Sequence, residues 1–96
     1  MKTLGEFKES LKSEQPASNL SMQLKSLWYD AKGNWHKAHH QVDQLNDPAS
    51  AWVHAYLHRK EGDIWNANYW YNKAGKKRPD FSLDEEWAQL VAEFLK

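Results

Sequence analysis

Five histidines give this 96-residue chain its most reactive constellation: His36, His39 and His40 in one short stretch, then His54 and His58. Imidazole is the commonest protein metal ligand and the side chain that titrates nearest neutral pH, so the spacing of these residues carries information. His36 with His40, and His54 with His58, stand four apart, the separation that puts two imidazoles on one helical face where they can share an ion. Helical phase separates the two pairs. Relative to the apolar face formed by Trp35, Ala38, Val42 and Leu45, His36 and His40 fall on the far side and are expected in water, which argues against a four-histidine metal site. His39 flanks that face and can meet His54 or His58. A His39, His54 and His58 cluster is therefore the candidate ligand site, with Tyr71 nearby and with Glu61, three residues after His58, as its acid–base companion.

Trp52, Tyr56 and Arg59 form a second constellation, one row along a helix, and Trp70 on the next helix can extend it. Trp, Tyr and Arg dominate binding hot spots, so this row is the candidate partner-binding surface. The structural alternative is that Trp52 and Tyr56 pack on Leu24, Leu27 and Trp28. Catalytic signals are poor: there is no cysteine, the serines sit at helix caps or in polar loops, and the isolated glycines are punctuation, not a phosphate cradle. No catalytic residue, cofactor or resident metal is expected.

The elements that must position these residues are short helices. Thr3 with Glu6 makes a capping box for a helix from about 4 to 13, with Leu4, Phe7 and Leu11 as its apolar side. Pro16 lies in a loop. Leu20, Leu24, Leu27, Trp28 and Ala31 form the stripe of a second helix, from about Ser21 to Lys32, and Gly33 stops it. Asn34 caps the third. Asp47-Pro48 opens a fourth, apolar nearly all round and stopped by Gly62, which such a pattern buries between neighbours. A fifth runs from Ile64 to about Ala74, ahead of Gly75 and Pro79. Lys76-Lys77-Arg78 then reads as a solvated cluster that complements a helix end. Ser82 and Glu85 cap the last helix, whose stripe is Leu83, Trp87, Leu90, Val91 and Phe94.

Length and charge bound the rest. A chain of 96 residues supports one core, hence one domain over residues 1–96. Six Trp, four Tyr and three Phe fill a small helical core and leave aromatic surface over for contacts. Thirteen basic and thirteen acidic residues cancel, so no field draws the chain to nucleic acid or an anionic membrane. The lack of cysteine fits a reducing compartment, and the lack of a leader or a long apolar run predicts a soluble, cytoplasmic protein.

Gly33-Asn34 and Gly62-Asp63, each followed by Ala38 or Ala67, repeat one corner: a left-handed Gly, a capping residue, then a small residue for close packing. With Ala55 before Gly62 and with Tyr71, Ala74 and Pro79 after it, the chain resembles tetratricopeptide and Sel1-like helical repeats. The first unit, around Gly33, matches through Ser26, Tyr29, Ala38 and Val42, with Leu45 in place of the second small residue and an early Pro48. Ala51 and His58 stand where the family has Trp and Tyr, and the spacing from Gly33 to Gly62 is shorter than the usual unit. The segment from Leu27 to Gly75 also resembles a group of short bacterial proteins with no known activity. The tetratricopeptide resemblance implies an all-α, six-helix right-handed stack with two short helix-turn-helix units and capping helices at both ends. It also implies that helix four lines a groove for a protein or peptide, or for a second copy of the chain, while His54 and His58 pack between helices, paired with Tyr71 or Glu61. The sequence thus favours a non-enzymatic interaction module. The competing expectation is a small-molecule or metal site on His39, His54 and His58, conceivably hydrolytic.

Overall fold

Each helix begins where a short polar side chain can accept one of the amides that a first turn leaves unpaired. Thr3, Ser21, Asn34, Asp47, Asp63 and Ser82 all accept from the amide three residues on, at 3.0–3.2 Å. The computed structural model describes residues 2–96 and is all-helical, with six helices among them: α1 Leu4–Ser10, α2 Met22–Ala31, α3 Trp35–Val42, α4 Pro48–Glu61, α5 Ile64–Ala74 and α6 Leu83–Phe94. Gly33, Gly62 and Gly75 close α2, α4 and α5 with φ of 84°, 90° and 71°, a left-handed conformation in which any Cβ costs energy. After Gly62 the amide of Asp63 bonds back to the His58 carbonyl at 3.0 Å, so the turn that ends α4 also sets the start of α5.

One boundary differs from its expectation. α1 ends at Ser10, not near 13, because the Ser10 hydroxyl donates to the Phe7 carbonyl at 2.6 Å, the acceptor an α-helical Leu11 amide would use. Leu11, Lys12 and Ser13 instead close tighter turns onto Lys8, Glu9 and Ser10.

α4 is the axle. Ser50 through His58 are all buried, and the helix packs on α2, α3, α5 and α6, most extensively on α5. One apolar cluster draws on all six helices, from Phe7 in α1 through Leu27, Val42, Leu57 and Tyr71 to Leu90 in α6. Aromatic groups tie its edges: the Trp87 indole donates to the Leu27 carbonyl at 3.0 Å, and Trp35 donates to the Leu57 carbonyl at 2.8 Å. Among the described residues no helix is long and apolar enough to cross a membrane.

Candidate metal centre

α3 and α4 bring three imidazoles together. His39 and His54 face each other Nε2 to Nε2 at 3.0 Å, and His58, one turn after His54, stacks on it with ring centres 4.8 Å apart. One nitrogen from each of the three lies within 4.8 Å of the others. His36 and His40 stay exposed on the outer face of α3, as their phase requires. His54 and His58 are buried, while the side chain of His39 keeps 27% of its exposure and forms the open edge.

Two tryptophans wall the cluster. The Trp35 ring lies parallel to His39 at 4.9 Å, and Trp70 from α5 covers His54 at 4.0 Å. Carboxylates stand behind two of the rings. Glu61 Oε2 lies 2.6 Å from His58 Nδ1, and Asp43 Oδ2 lies 3.9 Å from His39 Nδ1. Glu61 holds the proton on His58 Nδ1 and leaves its Nε2 bare, the usual setting of a metal-ligating histidine, while Asp43 is too far for a hydrogen bond and acts on His39 as a nearby negative charge.

Electrostatics push the same way. Burial, reinforced by the neighbouring His39 and His58, drives the His54 imidazole down to about 4. His39 is lowered too, first by desolvation and then by His58, with Asp43 and Glu61 partly opposing. Both rings are therefore uncharged at pH 7, and an incoming ion need only move the one proton shared at the Nε2–Nε2 contact to the other ring nitrogen of its imidazole. His54 Nδ1 and Asp43 Oδ1 are buried without a hydrogen-bond partner, so the cluster and its surroundings still hold unsatisfied polar atoms.

The geometry fits a small d-block cation. Two nitrogens on one tetrahedral ion at ~2.05 Å sit roughly 3.3 Å apart, close to the 3.0 Å separation of His39 and His54. His58 Nδ1 is taken by Glu61, which leaves Nε2 as its ligating atom. Three imidazoles and no thiolate suit Zn²⁺, Cu²⁺ or Ni²⁺ and offer little to Mg²⁺ or Ca²⁺.

The other sequence-selected residues go elsewhere. Tyr71 is not in the cluster: its hydroxyl donates to Glu86 Oε2 at 2.6 Å, and burial plus that carboxylate raise its pKa. Tyr56 is 2% exposed and donates to Asp30 Oδ2 at 2.7 Å. Trp52 meets Phe94 of α6 edge-on and lies beneath the Lys76 ammonium. Arg59 donates to Glu86 at 2.9 Å and to the Phe81 carbonyl, so α6 and the segment before it cover the row on α4. Trp70 is half-buried over His54. Trp65 at 79% and Tyr69 at 45% are exposed, with parallel rings on the outer face of α5, and Phe81 ahead of α6 is exposed as well. The sequence reading passed over Asp43, Asp30 and Glu86. For Asp43 the signal is its place four residues after His39; for Asp30 and Glu86 it is a lone carboxylate within an apolar helical stripe, whose partner only appears in three dimensions. Comparison with protein-family models, with curated proteins and with solved structures finds no match for this chain.

Proposed function

We propose that the protein binds a divalent d-block cation through His39, His54 and His58, with Glu61 orienting His58 from behind and the Asp43 charge close to His39. The observation that carries this reading is the convergence of three imidazole nitrogens within 4.8 Å, two of them held neutral by burial. Trp35 and Trp70 close both flanks, so the site suits retention or sensing of an ion better than hydrolysis of a bulky substrate. A purely structural histidine cluster is the rival, and it makes no response to metal. The test is titration with Co²⁺ or Zn²⁺ in parallel on wild type, His39→Ala and a His36→Ala, His40→Ala pair. The last removes the exposed four-apart pair, which can chelate adventitiously. The proposed site keeps its ion in the paired variant and loses it in His39→Ala; Glu61→Gln weakens it by about 10–100-fold. Loss in the paired variant alone would refute the assignment.

Interaction with a protein or peptide, or with a second copy, is a second reading favoured by one observation: Trp65 and Tyr69 are large, parallel and exposed. Because Trp52, Tyr56 and Arg59 are engaged within the molecule, the contact surface of this reading is the outer face of α5. The left-handed corners at Gly33 and Gly62 support the tetratricopeptide-like pairing of α2 with α3 and α4 with α5, and a chain without cysteine suits the cytoplasm. A Trp65→Ser, Tyr69→Ser variant should lose any partner, or the concentration-dependent mass of a dimer, without loss of stability. Retention of both would remove α5 as the surface.

A further inference from the structure

On the opposite side of α4 from the histidines, α1 roofs a cleft of about 590 Å³, within the range that holds small organic ligands. α1 reaches its neighbours through Phe7, whose ring meets Trp87 at 5.9 Å, and through Lys32, whose ammonium donates to the Leu11 and Ser13 carbonyls at 2.7 and 3.2 Å. Beneath it, Leu11, Ala31, Trp87 and Ala88 give the cleft an apolar wall. The floor is a closed charge unit. Asp30, 3% exposed, takes the Tyr56 hydroxyl on one oxygen and Lys60 Nζ on the other, at 2.7 and 2.8 Å. Those two bonds neutralise the buried carboxylate, so Asp30 needs no ligand of its own.

Two further charged groups line the cleft, and among the described residues neither has a salt-bridge or hydrogen-bond partner: Lys8 on α1 and Asp84 in the first turn of α6. One spare ammonium and one spare carboxylate, on different helices and lining one partly apolar cleft, complement a molecule carrying the opposite pair. We infer that this cleft binds a small zwitterion with an apolar body, a free α-amino acid or dipeptide. Its carboxylate pairs with Lys8 and the remaining donors of Lys60, its ammonium pairs with Asp84, and its side chain lies against Leu11 and Trp87. A simple organic anion would meet Asp84 as a repulsive neighbour, and an amine would meet Lys8. The metal centre shares no residue with this cleft.

The test is calorimetric titration in chelator, with L-phenylalanine as probe beside N-acetyl-L-phenylalanine, which lacks the ammonium, and L-phenylalaninamide, which lacks the carboxylate. Saturable binding of L-phenylalanine is expected, weaker by about tenfold or more for either capped form. Asp84→Asn should weaken L-phenylalanine and strengthen the acetylated form, which it no longer repels; Lys8→Met should weaken L-phenylalanine and strengthen the amide. Both positions are exposed, so both variants fold. The inference is overturned by no saturation up to about 10 mM, by equal affinity for the capped forms, or by variants that bind as wild type does.

Discussion

Burial holds the His54 imidazole deprotonated down to about pH 4, against 6.5 in an open chain. Between those values the unfolded chain binds a proton that the folded protein does not, so stability falls as pH drops from about 6.5 towards 4. His39 moves in the same direction, and the groups facing this pair are His36 on α3, Asp43 at its C-cap, and His58 and Glu61 on α4. The loss expected for His54 is on the order of 2–3 kcal/mol by pH 4. Asp47, whose pKa is lowered by its bonds to Ser50, contributes only below about 3.8 and so lies outside this window. Chemical denaturation of wild type and His54→Leu from pH 7 to 4 checks this: the apolar variant should lose most of the acid slope, and an unchanged slope would show that His54 does not set it. The three histidines were legible in the sequence because four-residue spacing and helical phase are local properties. Asp43, four residues after His39, carried the same local signal and was passed over, whereas the union of Tyr71 with Glu86, fifteen residues apart, was not legible because it depends on where α5 and α6 are placed.

The helices themselves were readable for a similar reason. Caps at Asn34, Asp47, Asp63 and Ser82 and stops at Gly33, Gly62 and Gly75 are contacts within a few residues, and each lies where the local signals put it. α1 was overrun because the Ser10 hydroxyl competes for a carbonyl, an event that apolar periodicity does not report. Beside its apolar contacts, a fully buried carboxylate ties α6 to its neighbours. Glu86 accepts from Arg59 of α4 at 2.9 Å and from Tyr71 of α5 at 2.6 Å, and so latches three helices. Glu86→Ala leaves a mostly buried guanidinium and a buried phenol unpaired and should cost about 3–5 kcal/mol in urea melts. Glu93→Ala, which removes only an exposed pair with Lys96, should stay within about 0.5 kcal/mol. Similar losses for the two would show that the latch is not holding α6.

At the scale of the molecule, α2, α3, α5 and α6 pack around α4 within a Cα radius of gyration of 12.3 Å, near the ~12.5 Å expected of a compact chain this long. That wrapping decides which sequence features reach solvent. A groove on α4 requires its face to be free, but Glu86, Phe81 and Phe94 come from the last third of the chain to cover Arg59 and Trp52. Local pattern cannot foresee a cover supplied from so far along the sequence, which is why the aromatic row was legible as a row and not as core. The histidine cluster escapes because α3 is short and leaves His39 at an open edge.

The most direct measurement is the visible spectrum of the wild-type protein at pH 7 as Co²⁺ is added. Ligation by three imidazoles predicts an intense four-coordinate band that saturates at about one equivalent, survives His36→Ala with His40→Ala and disappears in His39→Ala. A spectrum that remains that of the aquated ion, or a band that vanishes with the exposed His36 and His40 pair, would contradict a metal centre at His39, His54 and His58.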